Sequence, residues 1–206
     1  MKVHAGMERR RKAILAAARA MLESEPLSMR RLAEAAGVSQ ATPYNLFGTK
    51  RRIFLALYQE LNDDLLARIQ ASDARDALDR MYVAIRLMTQ SLAAEPGLFR
   101  ALIAVIYASD AENVGTADPA VAIWTEMMTA LRDEGLIDPS VETNAFTRNF
   151  VYLLGGALMD WTDGRIDADN LEAATRYGFT LAALAVATDG SRARLQRVLT
   201  DSAAAR

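Results

Sequence analysis

An all-α fold is predicted from three observations. About half of the 206 residues are apolar, and Ala and Leu outweigh Val and Ile among them, a balance that suits helices more than sheets. Apolar residues recur at three- and four-residue intervals, and no stretch alternates with the period of two that a half-buried strand needs. Glycine and proline mark the ends of the periodic segments.

The elements follow in order. Residues 1–7 read as a disordered tail. From 8 to about 24, Ile14, Leu15, Ala18, Met21 and Leu22 share one helical face opposite an Arg/Lys-rich one, and Pro26 ends the helix. Residues 27–50 read as two short helices joined by a tight turn. Ser28 is placed to cap the first, on which Met29, Leu32, Ala33 and Ala36 recur. Gly37 supplies the left-handed residue that ends it, Val38 fills the corner, and Ser39 is placed to cap the second. That second helix carries Gln40, Thr42, Tyr44 and Asn45, all able to hydrogen-bond outward. Such a pair has the design of a helix-turn-helix whose second helix enters the DNA major groove. Gly48 ends it, and Thr49 caps a long helix to about 71 with Ile53, Leu57, Leu61 and Leu65 every four residues. Further helices are predicted at about 74–94, 98–108 and 119–134. A polar loop at 109–118 precedes the last of these. Asp138-Pro139 starts another helix to about 163. Asp167 or Asp169 caps one from 170 to 188, and a basic helix closes the chain at 191–202.

Composition narrows the function. There is no cysteine, and the single histidine, His4, lies in the predicted tail, so no thiolate or histidine metal site and no cofactor is expected. The formal charge is −2, but residues 1–60 hold eleven Lys and Arg against five Asp and Glu, a basic head on an acidic body. That fits a protein that touches phosphate with one end. Arg19 cuts the apolar run after Lys12 short of a signal peptide's core, and no run approaches the ~18 apolar residues of a membrane span. A cytoplasmic protein is expected. Asp163 and Asp167 flank a Gly-Arg turn as a helix stop and a helix cap, so a catalytic carboxylate pair is not expected.

Ile14-Leu15-x-Ala17-Ala18, Leu32-Ala33-Glu34-Ala35-Ala36-Gly37-Val38-Ser39, Thr42-x-Tyr44-x-x-Phe47 and Thr49-Lys50 together give residues 9–58 a resemblance to the DNA-binding domain of the TetR family of bacterial transcriptional regulators. The chain departs from the family pattern at Pro43, where leucine is frequent, which implies a late start or an irregular first turn for the recognition helix. The resemblance divides the chain into a helix-turn-helix DNA-binding domain, 1–50, and a helical ligand-binding and dimerisation domain, 51–206, linked by the helix from about 49. It assigns Tyr44 and Lys50 to phosphate contact, with Ser28, Arg30 and Thr49 as further candidates. Gln40 is the expected base reader, because its amide can pair bidentately with adenine. Thr42 and Asn45 come next, and Ser39 and Ala41 complete the expected DNA face. Phe47 is expected in the core.

For the rest of the chain the resemblance implies a small, largely apolar effector bound among the helices of residues 74–160. Met88, Phe99, Ile103, Tyr107, Trp124, Met128 and Phe150 are its expected lining. It also implies a homodimer formed through two late helices, by Phe150, Leu153, Ala157 and Trp161 on one and Leu171, Ala174, Gly178 and Leu181 on the other. Gly155-Gly156 inside a helix suggests a close backbone approach there. The expected function is a repressor released by its ligand from a palindromic operator. The alternative is a DNA-bound helical protein controlled by a protein partner.

Overall fold

The computed structural model describes residues 2–106 and 119–204. The predicted polar loop at 109–118 and Tyr107 lie outside the described residues. Among those described, ten helices follow one another: α1 (Lys2–Leu22), α2 (Met29–Ala35), α3 (Ala41–Phe47), α4 (Lys50–Gln70), α5 (Ala77–Ala94), α6 (Pro96–Ile106), α7 (Pro119–Asp133), α8 (Thr143–Thr162), α9 (Ala168–Ala185) and α10 (Asp189–Ala204). The all-α expectation holds, and an isolated antiparallel bridge joins Ile137 to Ala187.

Three local expectations are corrected. The supposed tail is the start of α1, since no proline lies between Lys2 and Leu22 and extending a nucleated helix adds a hydrogen bond per residue fixed, which carries it through Gly6. Ser28 and Ser39 make no capping bond through their side chains. Asp138-Pro139 does not open α8. The Asp138 carboxylate instead accepts the Ser140 N–H at 2.8 Å and the Ser140 hydroxyl at 2.6 Å, closing a turn. α8 begins after Glu142, whose carboxylate accepts the Asn144 and Ala145 N–H groups at 2.9 and 2.6 Å. These two bonds hold the Glu142 carboxyl below its ordinary pKa. Of the two candidates for capping α9, Asp167 is the one used.

The chain forms two compact units: Met1–Asp63 with Ala94–Val114, and Asp64–Ala93 with Gly115–Arg206. The start of α4 and all of α6 belong with the N-terminal helices in the first unit. The core of this first unit gathers Ile14, Leu15 and Ala18 of α1, Leu32 of α2, Phe47 of α3, Ile53 and Leu57 of α4, and Leu98 and Leu102 of α6.

α6 is fastened to the C-terminal end of α1. The Glu23 carboxylate accepts the Gly97 and Leu98 N–H groups at 3.3 and 3.1 Å, capping α6 from another helix. Arg19 donates through both Nε and Nη2 to the Glu95 carboxylate, which lowers the Glu95 pKa. A Cβ on Gly97 would stand 2.2 Å from the Glu23 carbonyl oxygen, so the approach requires glycine. Gly97→Ala is expected to push α6 off α1 and to cost the first unit about 1–3 kcal/mol, read as a lower urea midpoint.

In the second unit α7, α8, α9 and α5 share an aromatic chain. Trp124 meets Phe150 edge-on at 5.0 Å, Phe150 meets Phe179 at 5.9 Å, and Phe179 meets Tyr82 at 5.7 Å. The Tyr82 hydroxyl is 2.9 Å from Thr180 Oγ1, and the Arg176 guanidinium lies 4.7 Å over the Tyr82 ring. Burial pushes the Tyr82 pKa up, although the Thr180 bond and Arg176 oppose it. α10 is anchored by Arg194, which donates to Asp76 and Asp79.

Candidate nucleic-acid interface

The turn between α2 and α3 is built by backbone geometry. Gly37 takes φ +64°, and its N–H reaches the Glu34 carbonyl while the Val38 N–H reaches that of Ala33. This is the two-bond Schellman stop, which needs a left-handed residue at that position. The half-buried Val38 then packs on the core, as expected.

α3 is only seven residues long and starts at Ala41 rather than late. Its first turn is irregular, as Pro43 implies: the Thr42 N–H reaches back three residues to the Ser39 carbonyl at 2.9 Å. Pro43 is the third helical residue, where an N–H would have no helical acceptor, so its ring costs no ladder bond. Pro43 and Phe47 are buried, which turns the other side of the helix outward. Gln40, Ala41, Tyr44 and Asn45 are exposed, Tyr44 to 55%. Thr42 is half-buried, and its hydroxyl is engaged with that of Ser39 at 2.8 Å.

Beyond Gly48, the exposed Thr49 caps α4 by accepting the Arg52 N–H at 3.2 Å, and Lys50 is exposed at the first residue of that helix. On α2, Arg30 is exposed and Ser28 half-buried. The expected DNA residues thus lie on α2, on α3 and at the start of α4, within one compact unit. Exposed amide, phenol and ammonium groups on a helix held by its buried side can form base-edge and phosphate hydrogen bonds. Sequence reasoning missed the seat of Arg11, whose guanidinium lies 4.8 Å over the Phe47 ring. The basic run Arg9 to Lys12 was the available signal.

The expected effector and dimer residues are placed less uniformly. Met88, Trp124, Met128 and Phe150 are buried in the second unit, whereas Phe99 and Ile103 belong to the first. In the expected dimer set, Phe150, Trp161 and Leu171 are buried within the second unit. Ala157, Ala174 and Gly178 are half-buried. A Cβ on Gly178 would stand 2.2 Å from Leu153 Cδ1, so part of the expected interface is the packing of α8 on α9 within one chain. The exposed apolar side chains of these helices are Tyr152, Leu153, Met159 and Leu181. The apolar stripe is wide enough to cover both an inner and an outer face, which periodicity alone does not separate.

Among the described residues, no helix is long and apolar enough to cross a membrane. The model of the family described as "Bacterial regulatory proteins, tetR family" matches residues 14–57. The nucleoid occlusion factor SlmA of Shewanella amazonensis is 30% identical over 134 residues, covering 62% of this chain and 68% of its own. That of Alteromonas mediterranea is 28% identical over 178 residues, covering 83% and 86%. In fold, a TetR transcriptional regulator from a Rhodococcus species superposes with a TM-score of 0.70 at 22% identity, over 85% of this chain and 96% of its own. TylP, a TetR regulator from Streptomyces fradiae, does so with 0.65 at 20% identity, over 94% and 95%. A helix-turn-helix held on a small core, the family match across it and relatives over most of the chain lead to one conclusion: the protein belongs to the TetR family and is a DNA-binding regulator with a non-enzymatic fold.

Proposed function

We propose that the protein is a cytoplasmic homodimeric repressor that binds a palindromic operator and is released from it by a small, largely apolar ligand. The observation that carries the DNA half of this reading is α3, whose buried Pro43 and Phe47 turn Gln40, Tyr44 and Asn45 outward beside Lys50. In a dimer two such helices must enter successive major grooves roughly 34–36 Å apart. A ligand that favours a dimer geometry with a different spacing lowers DNA affinity by its differential binding to the two geometries. The ligand half of the reading is supported by Met88, Trp124, Met128 and Phe150, apolar side chains buried in the second unit of the kind that would line such a site.

Gel-shift titration against the protein's own upstream DNA tests the reading. Gln40→Ala is expected to cost about 1–3 kcal/mol per half-site and to relax one operator position. Tyr44→Phe and Lys50→Ala are expected to weaken binding to every sequence alike. Absence of a salt-sensitive, sequence-selective shift by the wild type removes the reading.

Dimerisation is supported by Tyr152, 70% exposed, and Leu181, 52% exposed, on α8 and α9. Gly156 adds to this, because it lies inside α8, is exposed, and a Cβ there would meet nothing within 4 Å of the same chain. A glycine inside a helix costs about 0.5–1 kcal/mol relative to alanine, and the approach of a second chain would offset that. Gly156→Ala is therefore expected to raise the stability of the isolated chain while raising the dimer dissociation constant. Urea unfolding and sedimentation over a concentration series separate the two effects.

The relatives named nucleoid occlusion factor support a second reading, in which the DNA-bound dimer is controlled by a protein partner. Retention of DNA binding across a broad panel of apolar ligands, with a protein captured by the DNA-bound dimer, would favour it.

A further inference from the structure

We infer that the basic half of α1 is a second DNA-contacting element, in which Arg9, Arg10 and Lys12 grip backbone phosphates beside the site read by α3. The inference rests on the reading of the chain as a DNA-binding regulator and adds residues that lie outside the helix-turn-helix.

α1 runs from Lys2, yet from residue 5 onward the first buried side chain is Ile14, so more than two turns precede the part that packs in the core. Those turns carry Arg9, Arg10, Arg11 and Lys12, and Glu8 is the sole acid in the first 22 residues. The fold fixes which way this half lies. The C-terminal end of α1 holds α6, through Arg19 to Glu95 and Glu23 to the Gly97 and Leu98 N–H groups. The basic half lies at the α3–α4 corner, where the Arg11 guanidinium covers the ring of Phe47, three residues before Lys50.

With Arg11 seated inward, Arg10 and Lys12 leave the helix about a quarter-turn to either side, and Arg9 points further outward. All three are exposed, and no carboxylate among the described residues pairs with them. Four consecutive cations repel one another, Arg9 and Lys12 as an i,i+3 pair. Phosphate would remove that repulsion. Lys50, at the same corner, supplies a further cation, and a run of this kind binds the DNA backbone without reading its sequence.

The test compares the full-length wild type with R9Q/R10Q/K12Q, leaving Arg11 on Phe47. The three positions are exposed, so circular dichroism and the urea midpoint should match the wild type. R9K/R10K serves as the charge-preserving control. Both the protein's own upstream DNA and a random-sequence duplex are titrated over a salt series. If each protomer loses its three phosphate contacts, the slope of log affinity against log salt should become shallower by on the order of 5 for the dimer. The loss should be equal on both duplexes, with the control retaining the slope. Hydroxyl-radical protection should disappear at backbone positions flanking each half-site while the central pattern remains. A wild type that binds and a triple variant with the same slope and footprint would overturn the inference and leave the regulator reading intact. A wild type that binds neither duplex would remove both.

Discussion

Phe150→Ala is expected to lower the stability of the second unit by about 3–5 kcal/mol, the range for a buried aromatic removed from a core. Phe150 is 4% exposed and stands in the middle of the aromatic chain, edge-on to both Trp124 and Phe179. Its loss removes two ring contacts, each worth about 0.5–1.5 kcal/mol beyond area burial, and leaves a cavity lined by two large rings. Domains are stable by only about 5–15 kcal/mol, so the change is a large share of the total. Urea unfolding should show a lower midpoint with an unchanged slope, and the deficit relative to wild type should be independent of protein concentration. That independence matters because the sequence placed Phe150 in the dimer interface. An interface residue would instead give a deficit that appears only at concentrations where the dimer forms. Phe150→Leu, which keeps apolar volume without the ring contacts, should recover part of the loss. A midpoint for Phe150→Ala within about 0.5 kcal/mol of wild type would show that the ring is not part of the core.

Phe47→Ala is expected to abolish DNA binding to every sequence by undocking α3. A seven-residue helix is well below the ~12–15 residues at which an isolated helix becomes marginal in water, so α3 persists only through what it packs against. Phe47 is its principal anchor, 4% exposed in the first unit's core and covered on its outer side by Arg11. The cost should again be about 3–5 kcal/mol, confined to the first unit. Asn45→Ala, on the exposed side of the same helix, should stay within about 0.5 kcal/mol in stability while changing operator affinity. Unfolding followed by far-ultraviolet circular dichroism, with DNA binding measured on the same samples, checks both variants. Retention of binding by Phe47→Ala would mean that α3 is positioned by something other than its buried side.

How much was legible in the sequence depended on how far apart the deciding residues lie. Gly37 as a left-handed stop, Val38 in the corner, Thr49 as a cap and Phe47 as an anchor all sit within residues 27–50, and local chemistry settles each. Pro43 was readable as a source of irregularity, but the position of the first helical residue depended on the Ser39 to Thr42 turn. Arg11 was readable only as one of four cations, because its seat on Phe47 joins residues 36 positions apart.

Helix order, the all-α class and a helix-turn-helix with a basic flank were determined by the sequence itself, since each rests on short-range periodicity, caps and breakers. Tertiary structure alone decided that α6 joins the N-terminal unit, through Glu23 and a glycine at 97 that no local rule distinguishes from any other. It also decided that Phe150, Trp161 and Leu171 face inward while Tyr152 and Leu181 face out. The reason is physical: an apolar stripe on a helix specifies that a face is covered, whereas what covers it is set by the elements that pack against it.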